Sequence, residues 1–173
     1  DVIDGRLDPF MAAEGAATYL RAAHNRLGEW PLALTGYNHG VGGMARAKNE
    51  VSSDIGVIVW EYDGPRFGFA SRNFYAEFIA AKRIAENSGR YFSGLSMQSP
   101  RNVDGILLIQ PMKVRDLART LNVSELTLID LNPAWLKNIR FNKVEIPSNI
   151  PVWLPKGSAQ KVSQDIGRPL DKR

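Results

Sequence analysis

The stretch 30–40 constrains the fold most, because it carries signals for both ends of one short apolar helix. Pro31 suits the first turn of a helix, and Gly40 suits the position just past its end. A helix that ends here carries three polar side chains at its C-terminus, those of Tyr37, Asn38 and His39. On this stretch alone, the favoured interpretation is an ordinary corner between two helices, with Tyr37 packed inward and Asn38 capping the helix. The alternative is the wall of a binding cleft.

Helices are also predicted on both sides of this stretch. Asp8 and Pro9 are typical of a helix start, and apolar residues at helical spacing follow as far as Gly28, which ends the pattern. Ser71 is expected to cap another helix that runs to about Glu86 and has a wide apolar face. The first half of the chain is therefore expected to be mainly α-helical.

The segment 48–70 has the least regular pattern in the chain, and it is rich in glycine and aromatic residues. Two interpretations stand side by side. The segment is either a flap over a cleft or a packed connection in which Trp60 is buried.

The pattern changes in the second half of the chain. Residues 93–104 are polar and are expected to form a linker. The region 105–157 then contains a short apolar strand, two helices and a second strand, 150–155, whose prolines suit the edge of a sheet. This β-α-α-β order predicts a small α+β module. Residues 158–173 are polar and basic, and we expect them to form a loosely held tail.

The composition excludes several kinds of function. The sequence has no cysteine, which rules out disulfides and thiolate metal sites. No run of residues is long and apolar enough to cross a bilayer. The net charge of +4 comes from 22 basic and 18 acidic residues that are mostly scattered, so nucleic-acid binding is not indicated. Because the sequence starts at Asp1 without an initiator Met or a signal peptide, we expect a processed, trimmed or partial chain.

Four motifs in a fixed order carry a resemblance to a known family. They are Asp-Gly-Arg-Leu-Asp-Pro at 4–9 before an alanine-rich helix, Gly-Glu-Trp-Pro-Leu-Ala-Leu at 28–34, Gly-Tyr-Asn-His-Gly at 36–40, and Ser-Arg-Asn-Phe-Tyr-Ala-Glu-Phe at 71–78. Over residues 1–92 they resemble the later half of the catalytic domain of lytic transglycosylases, of the membrane-bound lytic murein transglycosylase D type. The resemblance implies a goose-type, lysozyme-like fold, which is mainly α-helical.

Residues 105–157 resemble the degenerate LysM-like segment that follows this domain in such enzymes. The likeness rests on four short stretches, which are Leu117-Ala118, Leu128 to Asn132-Pro133, Ile146-Pro147 and Trp153-Leu154-Pro155. The Gly-Asp-Thr opening of an ordinary LysM is absent, so the resemblance does not extend to carbohydrate binding by this module.

The resemblance implies an activity and a location. The family cleaves the β-1,4 bond between N-acetylmuramic acid (MurNAc) and N-acetylglucosamine (GlcNAc) in peptidoglycan. One Glu protonates the glycosidic oxygen and then acts as a base, while the MurNAc C6 hydroxyl closes a 1,6-anhydro ring. Glycan strands of peptidoglycan are therefore the expected partner, without a cofactor or metal. The expected location is the periplasm or cell envelope of a bacterium.

Site residues are carried over from the same motifs. Tyr37 corresponds to the tyrosine that hydrogen-bonds near the catalytic Glu, and Asn38 to the residue that holds the sugar or the turn. A second tyrosine of the family falls on Phe74 in strict register, and its supporting role is assigned to the neighbouring Tyr75, about 100° further round the helix. His39 is expected to line a substrate subsite.

The catalytic Glu is expected on an upstream N-terminal segment that packs against Tyr37 and Tyr75, because the family's Glu-Ser motif precedes the region of resemblance. The segment 94–98 resembles the family's next motif but falls too late in the order. Two other functions stay open: a lysozyme-type muramidase that uses water, and a non-catalytic peptidoglycan-binding fragment. A helical domain whose motifs serve only packing is a further alternative.

Overall fold

A computed structural model of the chain describes residues 1–170. Its contacts divide the chain into two compact units. The first, here called the helical unit, is Ala13–Met97, and the second, here called the mixed unit, combines Asp1–Ala12 with the chain from Gln98 onward. Residues 1–12, expected within the N-terminal domain 1–92, therefore group with the C-terminal part of the chain.

Helices account for the regular structure of the first half. They are α1 (Pro9–Leu27), α2 (Trp30–His39), α3 (Val41–Glu50), α4 (Ile55–Glu61), α5 (Phe69–Glu86) and α6 (Ser88–Tyr91). The predicted ends of α1 and α2 are confirmed. The Asp8 carboxylate accepts hydrogen bonds from the N–H groups of residues 10 and 11 at 2.9 and 3.0 Å, and caps α1. Gly28 and Gly40 follow the two helices with φ of +83° and +89°, values that favour glycine.

The core of the helical unit lies between α1, α2, α3 and α4. Its buried members are Leu27, Leu32, Met44, Ala47, Ile58, Tyr62 and Phe67. In α5, by contrast, Ser71 is the buried residue, and much of the predicted apolar face is partly or fully exposed. Because the core lies between the other helices, apolar surface on α5 is exposed to solvent.

Two predictions for the helical unit are corrected by the structure. Ser71 does not cap α5, because the helix already begins at Phe69 and Ser71 is turned into the unit with 5% of its surface exposed. The segment 48–70 is a packed connection that includes α4, but Trp60 is not the residue that packs it. The buried side chains there are those of Ile58, Tyr62 and Phe67, whereas Trp60 is 86% exposed.

The mixed unit contains a three-stranded antiparallel sheet and short helices. Its elements are β1 (Val103–Leu108), α7 (Val114–Leu121), α8 (Glu125–Leu131), α9 (Lys137–Arg140), β2 (Pro151–Pro155) and β3 (Gly167–Pro169). The strand order is β2-β1-β3, so the proline-flanked strand β2 lies at an edge, as predicted. The β-α-α-β order is present, while the LysM identity of this module stays a prediction.

The N-terminal residues are held in the mixed unit by backbone and side-chain hydrogen bonds. Ile3 forms a β-bridge with Trp135, and the Asp4 N–H donates to the carbonyl of residue 134 at 2.8 Å. The Asp8 carboxylate, which is 2% exposed, also accepts a 2.6 Å hydrogen bond from the indole N–H of Trp153. These bonds explain why residues 1–12 group with a segment far away in sequence.

The prediction of a loosely held tail at 158–173 is wrong for residues 158–170, which the structure describes. β3 pairs with β1, and Val162 is 8% exposed within the core of the mixed unit. The Asp104 carboxylate accepts from the Ala159 N–H at 3.1 Å and lies 3.1 Å from the Lys156 ammonium. Apolar burial and these bonds hold the segment to the sheet. Residues 171–173 of the predicted tail lie outside the described residues.

A membrane-spanning helix is not found within residues 1–170, because none of the helices there combines sufficient length with sufficient hydropathy.

Candidate functional site

Asn38 lies at the C-terminal end of α2, where it holds the start of α5. Its side-chain oxygen, Oδ1, accepts a 2.9 Å hydrogen bond from the hydroxyl of Ser71. Ser71 is buried, whereas Asn38 is exposed. Asn38 therefore joins two helices rather than capping its own, and its amide stays accessible to a ligand.

Tyr37 is half-exposed, so it does not pack inward as in an ordinary helix corner. Its ring meets the ring of Tyr19 edge-on, with centroids 5.2 Å apart. The Tyr19 hydroxyl donates to the backbone carbonyl of Gly36 at 3.3 Å. Tyr19 thus supports the C-terminal end of α2. The sequence contained one signal for it, because Tyr19 precedes the apolar Ala23 by four residues, and residues at that spacing lie on the same side of a helix.

His39 packs inside the helical unit. Its imidazole meets the rings of Phe67 and Tyr62 edge-on, at centroid distances of 5.0 and 6.4 Å. The ring also lies directly over Gly43, where an added Cβ would stand 2.5 Å from Nε2. Among the described residues, Nε2 is buried without a hydrogen-bond partner. This placement favours a packing role for His39 over the predicted contact with a sugar.

The surroundings of His39 disfavour its charged form. Burial is the largest cause that lowers its pKa below the ordinary value, and the positive charge of Arg46 lowers it further. A hydrogen bond with the backbone of Arg66 acts in the opposite direction and is smaller in effect. The imidazole is therefore held neutral inside the unit.

Tyr75 lies in a groove between α4 and α5, here called the Trp60 groove. The groove measures about 350 Å³ and is lined by Ile55, Gly56, Val59, Trp60, Arg72, Asn73, Tyr75 and Ala76. These residues come from α4 and α5 alone. Tyr37 and Tyr75, predicted to meet at one carboxylate, do not share this groove, and Asn38 and His39 are also outside it. The assignment of Tyr75 beside the catalytic Glu stays a prediction.

Arg72 fixes α4 against α5, a role that the sequence did not reveal. Its guanidinium donates hydrogen bonds to the backbone carbonyls of Val59 and, at 2.9 Å, of Tyr62. It also stands over the Phe67 ring, 5.2 Å from the centroid. The ion pair with Asp63 is long, at 3.8 Å, and the Asp63 side chain is fully exposed. The carbonyl bonds are therefore the main link.

The carboxylates of the helical unit do not form an acid site. Its five glutamates in the first 80 residues, Glu14, Glu29, Glu50, Glu61 and Glu77, are all exposed. A general acid needs shielding from water to keep its proton near neutral pH, and these positions do not offer it. Within residues 1–170, no group of three or more histidine, aspartate or glutamate side chains is placed to hold a metal ion.

A family model matches the first part of the chain. Residues 1–56 match the family model of the Transglycosylase SLT domain. The match supports a lytic transglycosylase fold, peptidoglycan as the substrate, and cleavage of its glycosidic bonds in general. It covers Tyr37, Asn38 and His39 but ends before Trp60 and Tyr75, and it covers about a third of the chain. No curated protein matches the chain.

Proposed function

We propose that this chain is the later part of a lytic transglycosylase that cleaves peptidoglycan between MurNAc and GlcNAc and forms 1,6-anhydroMurNAc. The observation that carries the proposal is the SLT match over residues 1–56, which includes an exposed Tyr37 and Asn38 at the end of α2. The proposed location is the periplasm or cell envelope of a bacterium, where this substrate is found.

In this proposal Tyr37 and Asn38 assist a catalytic Glu that an upstream segment supplies. The Glu of an upstream segment stands beside Tyr37, whose phenol donates a hydrogen bond to its carboxylate. Because Asn38 Oδ1 already accepts from Ser71, the Nδ2 group is the donor that Asn38 offers to the sugar. The Glu protonates the glycosidic oxygen, and its carboxylate then takes the proton of the C6 hydroxyl that attacks C1.

The surface of the helical unit supports an additional segment in the complete enzyme. Tyr19 on α1 and Phe78 on α5 are 42% and 40% exposed, and Phe69 at the start of α5 is 80% exposed. These aromatic side chains are available for another segment to cover. The proposed upstream segment would bury part of them and bring the Glu to Tyr37.

Binding to peptidoglycan without cleavage is a second candidate function, for a chain to which no upstream segment supplies the catalytic Glu. The exposed positions of these five glutamates favour it for the 173-residue chain by itself. A lysozyme-type hydrolase, in which water attacks instead of the C6 hydroxyl, is the remaining rival for the complete enzyme.

The test is digestion of purified sacculi, with the soluble products separated and identified by mass spectrometry. The longer chain that includes the upstream segment is expected to release muropeptides ending in 1,6-anhydroMurNAc. The 173-residue chain is expected to be retained on sacculi and to release none. Products with only reducing ends would replace the proposal by the hydrolase, and neither release nor retention would reject both functions.

A further inference from the structure

The Trp60 groove has the dimensions of a small-molecule site. Its volume of about 350 Å³ lies near the lower end of the range for such sites, roughly 300–1,000 Å³. Ile55 and Val59 supply aliphatic walls, and Trp60 and Tyr75 supply aromatic ones. One turn of an α-helix, with a diameter of about 10–12 Å and a pitch of about 5.4 Å, would occupy more than this volume. The groove therefore suits a compact ring better than a helical peptide.

Trp60 presents a large aromatic surface to solvent at this groove. At 86% exposure it is the most exposed large apolar side chain in the part of the chain that the structure describes. Leaving an indole in water forgoes a burial energy of about 25 cal/mol per Å² of apolar surface. Together with the aliphatic and aromatic walls of the groove, the Trp60 ring forms one continuous apolar surface, the kind of surface that marks a ligand-binding groove.

The backbone that carries Trp60 is held firmly. Its neighbours in α4 and the following turn, Ile58 and Tyr62, are buried, with 0% and 2% of their surface exposed. Arg72 binds the carbonyls of Val59 and Tyr62 on either side of Trp60. The backbone that carries the ring is therefore already ordered, so binding a ligand does not have to order it.

Polar atoms stand beside the aromatic wall. The Tyr75 phenol is both a donor and an acceptor. The Asn73 side-chain amide donates to the Phe69 carbonyl at 2.9 Å through Nδ2, so the acceptor that this lining residue can offer to a ligand is its Oδ1. The charge of Arg72 is engaged by backbone carbonyls. The groove therefore offers stacking and neutral hydrogen bonds, and not recognition of an anion.

We propose that the Trp60 groove binds one N-acetylated aminosugar ring of the peptidoglycan glycan strand, stacked on Trp60. A pyranose ring has an apolar face of C–H bonds, and the indole face carries the negative charge that attracts polarised C–H groups. Its hydroxyl and acetamido groups lie round the edge, where Tyr75 and Asn73 accept and donate. The inference rests on the proposed function, since it names where the glycan strand touches this chain. Trp60, Asn73 and Tyr75 lie beyond the segment that matches the SLT domain.

The test is a titration of the 173-residue chain with triacetylchitotriose, a soluble trimer of β-1,4-linked GlcNAc, followed by ¹⁵N NMR of the tryptophan indole N–H groups. The chain has four tryptophans, and the signal of Trp60 is assigned by its loss in Trp60→Ala. The Trp60 signal is expected to shift and to saturate with a dissociation constant on the order of 1 mM. Trp60→Ala is expected to weaken the binding seen at other shifted signals by about tenfold or more.

Trp30→Ala is the matched control. Trp30 is half-exposed but stacks on His24, with ring centroids 4.3 Å apart, and it is not part of the groove. Its removal is expected to change the dissociation constant by less than about twofold. A thermal melt of each variant checks that the fold is kept.

The outcomes separate this inference from the proposed function. A Trp60 signal that stays unmoved, with the chain still retained on sacculi, overturns the groove and leaves the proposed function in place. Equal binding by Trp60→Ala and the parent chain overturns it as well. A saturating Trp60 shift that Trp60→Ala abolishes supports the groove, even if the complete enzyme releases no 1,6-anhydro product and the proposed reaction fails.

Discussion

The hydroxyl of Ser71 donates a 2.9 Å hydrogen bond to Oδ1 of Asn38, and this bond joins the first turn of α5 to the C-terminal end of α2. The next residue, Arg72, joins the same turn to the carbonyls of α4 and the segment after it. Two consecutive residues of α5 therefore fix the helix that carries Tyr75 against the two segments that carry Asn38 and Trp60. The candidate site residues depend on these links for their positions.

Ser71→Ala is expected to destabilise the helical unit by about 0.5–1.5 kcal/mol, the usual net contribution of one hydrogen bond. The substitution removes the donor and leaves no cavity of note, because Ala differs from Ser by one oxygen. The measurement is urea unfolding followed by circular dichroism. Ser93→Ala, at an exposed position, is the control and is expected to change nothing measurable. An equal unfolding midpoint for both variants would contradict the role given to Ser71.

Arg72→Lys is expected to cost about 1.5–3 kcal/mol, the range for hydrogen bonds that involve a charged group. Lysine keeps the positive charge but lacks the planar fork that reaches two carbonyls at once. Asp63→Asn is the control for the ion pair, and it is expected to be neutral because Asp63 is fully exposed and its pair is long. If Asp63→Asn destabilises the unit as much as Arg72→Lys, the ion pair and not the carbonyl bonds holds α4.

Tyr37→Phe, made in the complete enzyme, is expected to lower kcat by about 10- to 100-fold. This range corresponds to the loss of one hydrogen bond to a charged carboxylate, about 1.5–3 kcal/mol. The readout is the rate of release of 1,6-anhydro products from sacculi. Tyr91→Phe, a half-exposed tyrosine outside the candidate site, is the control and should leave the rate unchanged. Unchanged activity of Tyr37→Phe would support a packing role for the Tyr-Asn motif.

His39 is expected to make the stability of the helical unit depend on pH. Its folded-state pKa lies below the ordinary value of 6.5, so near and below that pH the unfolded chain binds more protons than the folded one. The stability is therefore complete above about pH 7, and it falls as the pH drops through 6.5 towards the lower, folded-state pKa. Urea midpoints measured between about pH 5.5 and 8 should show this slope, in a range where carboxylates are already ionised.

His39→Gln is expected to remove most of that slope, while His24→Gln, which alters the other imidazole of the chain, should keep it. A slope that survives His39→Gln would assign the pH dependence to another group.

Local signals in the sequence predicted the ends of α1 and α2, because the residues that start or stop a helix act within one turn. Asp8 and Gly40 did so as expected. The prediction that Ser71 caps α5 was wrong, because a serine near the start of a helix has the same hydroxyl group whether it caps that helix or bonds to a neighbouring one. In the structure Ser71 bonds to Asn38, which lies 33 residues away, so a local pattern could not predict this partner.

The parts of the structure that were not predicted depend on contacts between distant residues. The segment that contains Val162 looked like a tail, because nothing local indicates that β3 pairs with β1 some 60 residues earlier. The packing of His39 was not predicted, because it is produced by Tyr62 and Phe67, which lie beyond α3. The family resemblance predicted Tyr37 and Asn38 as site residues, which stays a prediction, and it contained no information about the groove at Trp60.

The two neighbouring glycines of α3 provide a matched pair of substitutions with opposite expected signs. At Gly43 an added Cβ would stand 2.5 Å from the His39 imidazole, so Gly43→Ala must push the ring out of its packing with Phe67. The expected cost is about 1–3 kcal/mol, as for other overpacked interiors. At Gly42 the added Cβ meets no atom within 4 Å, so Gly42→Ala should stabilise the helix by about 0.4–1 kcal/mol.

Urea unfolding of both variants measures the difference, and Gly43→Ala together with His39→Ala should recover part of the loss. If both glycine variants gain stability, the imidazole is not fixed over Gly43, and the pH dependence expected of His39 loses its structural basis.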